Sequence, residues 1–334
     1  MAEEVLPLVF MAIMGLSLLL YVILDGYDLG VGMLLPFASD ADKDVMIAAI
    51  GPFWDANETW LVLGVGMLLI AFPAAHGLVL SSLYLPVTAM LIGLILRGVS
   101  FDFRVKAQAR QKRLWNRAFA AGSLLAALAQ GWMLGGYVTG LATEPLNIAF
   151  AALIAITLSA LYIVLGAGWL LMKTEGALFD HAARWGRAAV LPMGFALLAI
   201  SVATPLVSAT IRAKWFSLPN FIGLMPIPIA TTVAYVAVVA VLRRVSSQRP
   251  DYAWLVLANT VLMCVLAAIG LAYSLYPYVV LDRLTVWEAA AATSSLKFVL
   301  VGLGLVLPFT LAYTVFVYRV FRGKATTLGY GSPE

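Results

Sequence analysis

Charged side chains are scarce in this sequence. Asp, Glu, Lys and Arg make up 11% of the 334 residues, whereas apolar residues make up 63%. Soluble domains carry about 25% charged residues. The composition therefore excludes a soluble protein and predicts an all-α polytopic membrane protein, built as a bundle of transmembrane helices. The net charge of +4 does not indicate a nucleic-acid partner, because basic residues gather in the loops on one side of a membrane protein.

Residues that bind metals are also nearly missing. The lone Cys264 lies in an apolar run, which excludes a disulfide framework and a cysteine-based metal site. His76 falls in an outer turn and His181 in an inner loop, on opposite sides of the predicted membrane, so the two histidines cannot share one iron. If the protein serves redox chemistry, its metal ligands lie on another chain. The sequence thus predicts no metal ligand and no catalytic residue here.

Nine apolar runs are present, each close to the roughly 20 residues that cross a bilayer as a helix. They span residues 6–24, 59–75, 78–96, 118–139, 146–172, 188–211, 221–242, 253–273 and 298–318. Pro73 and Gly77 predict a tight turn between the second and third spans. Residues 1–322 then form one nine-helix domain, followed by a short cytoplasmic tail at 323–334. The acidic start predicts a retained first span rather than a secretory signal.

Basic residues alternate between the loops and predict the sidedness. Of the 21 Lys and Arg, all but four fall on one side of the predicted spans. The four exceptions are Arg212, Lys214, Arg283 and Lys297. By the positive-inside rule the N-terminus is periplasmic and the C-terminus is cytoplasmic.

Two acidic pairs stand at the edges of apolar runs. Asp25 and Asp28 follow the first run, whereas Asp55 and Glu58 precede the second. The spacing of three places each pair on one helix face. The sidedness puts all four carboxylates near the cytoplasmic surface, where such groups can relay protons.

A structural interpretation of the same acids stays open. Asp55 would cap the second span and favour the positive end of its dipole. Asp25 and Asp28 would pair with arginines of the inner loops. In the polar segment between the two pairs, Asp40 or Asp42 would cap a short helix.

Aromatic, amide and basic residues near the acids are supporting or interface candidates. They are Trp54, Asn57, Trp60, Arg97, Asp102 and Arg104. The tryptophans either line a quinone or haem edge or lie at headgroup level. Arg97 pairs with Asp55 or Glu58, binds an anionic headgroup, or only anchors the span.

Two other motifs predict local structure. Gly26 and Gly30 allow close helix approach, either to a partner helix or within the bundle. Lys173 and Glu175 follow the fifth span and are predicted to lie at the membrane interface.

Four motifs together resemble subunit II of the cytochrome bd-type quinol oxidases. The short length of the chain and its Trp-Asp-Ala-Asn-Glu-Thr-Trp segment are most similar to the cyanide-insensitive branch. The motifs are Asp25-Gly-Tyr-Asp28-Leu-Gly-Val-Gly-Met33, Trp54-Asp-x-Asn-Glu58-x-Trp60, Arg97-x-x-x-Phe-Asp-x-Arg104 and Met172-Lys-Thr-Glu-Gly176.

The resemblance implies a partner. Subunit I of such oxidases holds two b-type haems and one d-type haem, and the complex oxidises quinol and reduces oxygen to water. The implied location is the bacterial cytoplasmic (inner) membrane, with a multi-pass chain. Ubiquinone, phospholipid and a small single-span subunit are further implied partners.

The resemblance also implies roles for the acids. Asp25 and Asp55 match acids proposed to guide protons toward the haems. Asp28 and Glu58 match the motif as well, with Gln in place of Glu58 in other members.

Three functions remain as hypotheses at this point. The leading one is a non-haem oxidase subunit that carries a cytoplasmic proton uptake route. The second is a stand-alone proton or ion transporter, which needs a midplane site built from broken helices and internal repeats. The third is a purely structural partner subunit. The acids lie at helix ends and no repeat is apparent, which favours the first hypothesis over the second.

Overall fold

The computed structural model describes residues 2–325. Most of the predicted tail, residues 326–334, lies outside the described residues. A short 3-10 turn at Leu35–Phe37 follows the first helix, and a two-stranded antiparallel ribbon pairs Tyr278–Val280 with Leu284–Thr285. The helices are α1 Ala2–Leu34, α2 Asp40–Ile50, α3 Trp54–Ala71, α4 Pro73–Ser82, α5 Tyr84–Lys106, α6 Ala109–Val138, α7 Pro145–Lys173, α8 Gly176–Val207, α9 Ala209–Trp215, α10 Asn220–Leu224, α11 Pro226–Arg244, α12 Trp254–Leu275, α13 Val286–Ala289 and α14 Thr293–Val320.

The prediction of an all-helical membrane protein is confirmed. In the described part of the chain, eight helical segments are long and apolar enough to cross a bilayer. The count rises to nine if α3 and α4, which meet at a bend of 118°, form one broken span. Pro73 stands at this bend, where its ring and missing N–H interrupt the helical hydrogen bonds.

Several predicted boundaries and caps are wrong. Pro73 to Gly77 begin helix α4 instead of a tight turn, so the third span starts at Tyr84. Helix α1 continues to Leu34, well past residue 24, and therefore contains both acids of the first pair. Ser39, rather than a neighbouring aspartate, caps α2 by accepting a hydrogen bond from the Asp42 backbone N–H.

Helix α1 crosses α7 at very short range. Gly30 faces the Tyr162 carbonyl and the backbone of Gly166, and Gly26 faces the Tyr162 ring. Small residues let two helices approach to this distance. The interpretation of Gly26 and Gly30 as packing positions within the bundle is therefore the correct one. This contact fixes the last third of α1 beside α7.

We expect Gly30→Ala to destabilise the protein by about 1–3 kcal/mol, because the added methyl overlaps a backbone carbonyl that cannot rotate away. Thermal unfolding of the purified complex measures the effect. Gly15→Ala, on the same helix, is the matched control, since nothing lies within 4 Å of the added methyl. Helix propensity favours alanine there, so its midpoint should not fall. Equal midpoints for the two variants would contradict this account of the crossing.

Polar contacts join several helix ends at one end of the bundle, which we call the ion-pair end. Asp44 of α2 pairs with Arg104 of α5 and Lys112 of α6. His181 of α8 lies 3.7 Å from Asp42 of α2. The prediction from basic residues placed these helix ends on one membrane surface, and they do meet. The identity of that surface stays a prediction.

Lys173 differs from its prediction. It is buried rather than interfacial, with 3% of the residue exposed. Its ammonium donates to the carbonyls of Phe321 and Gly323 just after α14, and it lies 5.0 Å from the Trp169 ring. The cation therefore ties the end of α14 to the end of α7 and complements the negative end of the α14 dipole.

Candidate functional site

The site is built around a buried ion pair between α1 and α5. Arg97 Nη1 donates to Asp25 Oδ1 at 2.6 Å, and the two side chains are 1% and 0% exposed. Arg97 Nη2 also lies 3.4 Å from Glu58 Oε2 of α3. The Glu58 side chain is 26% exposed. Three helices thus contribute one charge each to a line that begins at the bundle surface and ends inside it.

Desolvation makes this arrangement costly unless it is fully paired. Moving an isolated charge out of water costs several kcal/mol even after relaxation. Arg97 offsets the cost by serving two carboxylates, and its guanidinium also lies 5.8 Å from the centre of the Trp54 ring. Asp25 Oδ2 and Arg97 Nε, however, are buried without a hydrogen-bond partner among residues 2–325. The pair therefore keeps one acceptor atom and one donor atom that can form further hydrogen bonds.

Asp28 belongs to a second hydrogen-bonded group. Its Oδ2 accepts a 2.8 Å hydrogen bond from Asn57 Nδ2, and the same amide lies 2.8 Å from the Tyr27 hydroxyl. Tyr318 of α14 donates to Asn57 Oδ1 at 3.0 Å and contacts the Tyr27 hydroxyl. Asn57 is fully buried, as is Asp28. The two aspartates of α1 therefore share a helix face but have different partners.

A third branch leads from Asp25 deeper into the bundle. The Tyr21 hydroxyl lies close to the Asp25 carboxylate. Gln130 of α6 donates to the Tyr21 hydroxyl at 2.6 Å and accepts from the Tyr162 hydroxyl of α7 at 2.7 Å. All of these side chains are buried. The branch connects the surroundings of Asp25 to two further helices.

The remaining predicted acids lie outside this network. Asp55 sits in the first turn of α3 and is exposed, and its side chain makes no hydrogen bond or ion pair within the described residues. The N-cap position is Phe53, so the predicted capping hydrogen bond from Asp55 is wrong. Its charge still lies at the positive end of the α3 dipole. Asp102 of α5 is likewise exposed.

Arg104 is buried in a separate cluster at the ion-pair end. It donates to Asn116 and, at 2.6 Å, to Asp44 Oδ1, while Lys112 donates to Asp44 Oδ2 at 2.9 Å. Partial burial raises the pKa of Asp44, but the hydrogen bonds from Lys112 and Arg104 outweigh it and hold the pKa below its usual range. Asp44 is therefore ionised at neutral pH and acts as a fixed counter-ion.

The two tryptophans have different surroundings. Trp60 is 2% exposed, so its ring packs inside the bundle. Trp54 is half-buried, and its ring packs 5.1 Å from the Phe101 ring. Trp54 thereby covers part of the Arg97 guanidinium.

Side chains that could hold a metal ion lie apart in the described part of the chain. Among residues 2–325, no group of three or more His, Cys, Asp or Glu side chains lies close enough to hold a metal ion. His181 lies at the ion-pair end beside Asp42. His76 lies in α4, which packs beside the start of α1 at the other end. The two histidines therefore do not fit as the axial ligands of one haem.

Several residues of the site were missed from the sequence. Tyr21, Gln130, Tyr162 and Tyr318 were not predicted to contact the acids. Two signals were available. Tyr21 lies four residues before Asp25, on the same helix face. Gln130 is a lone amide inside the apolar run of α6, where a polar side chain needs a partner.

Known proteins share this chain's sequence pattern and fold. Residues 6–321 match the model of a family described as cytochrome bd terminal oxidase subunit II. Cytochrome bd-I ubiquinol oxidase subunit 2 of Escherichia coli K12 is 27% identical, over 97% of this chain and 96% of the relative. Cytochrome bd ubiquinol oxidase subunit 2 of Bacillus subtilis is 28% identical, over 91% of this chain and 92% of the relative.

A solved structure shows the same fold. A chain of the bd oxidase from Geobacillus thermodenitrificans superposes with a TM-score of 0.72, covering 95% of this chain and 98% of that chain. Sequence identity over this match is 17%. The apolar helices and the curated relatives identify a multi-pass protein of the bacterial inner membrane. Since the family match covers nearly the whole chain, the protein belongs to the cytochrome bd terminal oxidase subunit II family.

Proposed function

We propose that this subunit supplies a cytoplasmic proton uptake route to the haem-bearing subunit I of a quinol oxidase. The observation that carries the proposal is the line of charges from half-buried Glu58 through Arg97 to fully buried Asp25. Asp55, exposed one turn before Glu58, collects protons from the aqueous side. Arg97 stays charged and does not itself transfer protons, but its charge lets a buried carboxylate ionise and so accept the next proton.

The face of α3 suggests where subunit I docks. Asp55 and Glu58 lie on the outward face of α3, and an exposed apolar stripe follows them at steps of three and four residues. The stripe consists of Val62, Val65 and Leu69, which are 68%, 40% and 51% exposed. Acids directly beside lipid are expensive, so such side chains normally face protein or a water-filled passage. We therefore propose that this stripe contacts subunit I.

The proposed partner, subunit I, would supply the cofactors of the complex. In the proposed complex, subunit I holds two b-type haems and the d-type haem, where quinol is oxidised and oxygen is reduced to water. We further propose the orientation with a periplasmic N-terminus and a cytoplasmic C-terminus, which places the four acids on the side that supplies protons. Ubiquinone and a small single-span subunit are additional proposed partners.

We expect Asp55→Asn to slow oxygen consumption about threefold to tenfold, because an exposed charge at the mouth of a route raises the local supply of protons. Oxygen uptake per haem by the purified oxidase, with quinol as donor, is the measurement. The haem spectrum should equal that of the unmodified complex.

Asp251→Asn is the matched control for this variant. Asp251 is also exposed and lies in the turn before α12, and it takes no part in the contacts of the line of charges. Its removal changes the net charge equally and should leave oxygen uptake as it was. Full activity in Asp55→Asn removes Asp55 from the route, and an equal loss in both variants points to a general surface-charge effect.

A further inference from the structure

The segment between α11 and α12 and the start of α8 enclose an open cavity at the ion-pair end. Its volume is about 500 Å³. The residues that matter for its chemistry are Asp180, Arg184, Arg187, Ser246, Ser247 and Gln248. The cavity lies where two apolar runs end, because the runs of α8 and α11 were predicted at 188–211 and 221–242. This is the depth of lipid headgroups.

The one carboxylate of the cavity is already used. Asp180 Oδ1 accepts a 2.7 Å hydrogen bond from the Ser247 backbone N–H, and Oδ2 accepts one of the same length from the Ser247 hydroxyl. Its negative charge thus holds the loop after α11 against α8. The arginines remain the groups available to a ligand.

The two arginines have free donors. Arg187 Nη1 donates to the Leu242 carbonyl at 2.8 Å, which leaves its other nitrogens for a ligand. Arg184 is exposed and has no hydrogen bond or ion pair to another residue in the described range. Guanidinium groups bind phosphate oxygens with two parallel hydrogen bonds. The cavity is therefore suited to a phosphate group.

On the outward face of α8, exposed apolar residues follow the two arginines and form a stripe. Leu191, Phe195, Leu198 and Val202 follow Arg187 at steps of three and four residues and are 60%, 75%, 65% and 58% exposed. A helix rises 1.5 Å per residue, so the stripe from residue 187 to 202 extends over about 22 Å. A free anion would make no favourable contact with this apolar stripe, whereas an acyl chain would.

We infer that this cavity binds the headgroup phosphate of an anionic phospholipid, with its acyl chain along the α8 stripe. The site is separate from the line of charges at Asp25, and its test does not depend on the proposed proton route. Basic residues near a membrane surface each strengthen anionic lipid binding by about fivefold.

Native mass spectrometry of the intact, detergent-purified oxidase tests the site with added phosphatidylglycerol and phosphatidylcholine of equal chain length. We expect preferential retention of phosphatidylglycerol. The variant Arg184→Gln, Arg187→Gln should lose about fivefold in retention for each arginine removed. The variant Arg243→Gln, Arg244→Gln is the control, because these exposed arginines of the last α11 turn carry the same charge but do not line the cavity.

The outcomes distinguish a specific lipid site from general electrostatic attraction between the protein and anionic lipid. Equal losses in both double variants, or no loss in the first, overturn the assignment. Displacement of the lipid by millimolar inorganic phosphate or glycerol 3-phosphate also overturns it, since a free-anion site would then be present. If the first double variant does not assemble, Arg184→Gln alone keeps the Arg187 contact to Leu242 and should still lose about fivefold.

Discussion

Replacing Asp25 with Asn is expected to slow oxygen consumption by the intact oxidase about a hundredfold, while the haem content stays normal. Asparagine has the same size and still accepts the hydrogen bond from Arg97 Nη1. It cannot take up a proton at that position. Removing a positioned proton-transfer group typically costs a factor of about 10² to 10⁴. Oxygen uptake per haem, measured with saturating quinol over a pH series, gives the result.

The same variant decides between the relay and the structural interpretation. If Asp25 only pairs with Arg97, then Asp25→Asn lowers the thermal midpoint but leaves turnover per haem and its pH profile unchanged. Asp251→Asn controls for a change of net charge in both measurements. Normal turnover in Asp25→Asn would therefore rule out the proposed route through this residue.

The spacing of the acids predicted part of this site well. Residues three apart on a helix share a face whatever the rest of the fold does, and Asp25 and Asp28 do share one. The pairings of Arg97 with Glu58 and of Asp25 with an inner-loop arginine were also among the expected contacts. The expected arginine partner of Asp28 is wrong, since Asp28 accepts from Asn57 instead. The pairing of Arg97 with Asp25 joins residues 72 positions apart. That choice depends on how α1, α3 and α5 cross, and no local pattern encodes the crossing.

The predicted end of the first span is wrong for a related reason. Charged residues normally end a membrane span, so the sequence predicts that the first span stops before Asp25. The helix continues because Arg97 and Asn57, from two other helices, each donate to one oxygen of its two carboxylates. Lys173 follows the same rule, since backbone carbonyls after α14 supply its partners. Polar residues thus mark span ends only where no tertiary partner is available.

Replacing Arg97 with Met is expected to destabilise the protein by about 3–5 kcal/mol, because it leaves Asp25 buried and uncompensated. A protein domain has only about 5–15 kcal/mol of net stability, so we expect poor assembly of the oxidase and loss of haem from the purified complex. Thermal unfolding and the yield of haem-containing complex are the measurements.

Arg104→Met, on the same helix, is the matched control. Its partner Asp44 is 50% exposed and keeps its contact with Lys112, so the loss should be smaller, about 1–3 kcal/mol. Adding Asp25→Asn to Arg97→Met removes the fully buried uncompensated charge and should restore part of the stability, since only the partly exposed Glu58 then lacks its arginine partner. Oxygen uptake should stay low in this double variant, because the proton acceptor is missing. Recovery of activity together with stability would mean that the buried pair only holds α1 and α5 together.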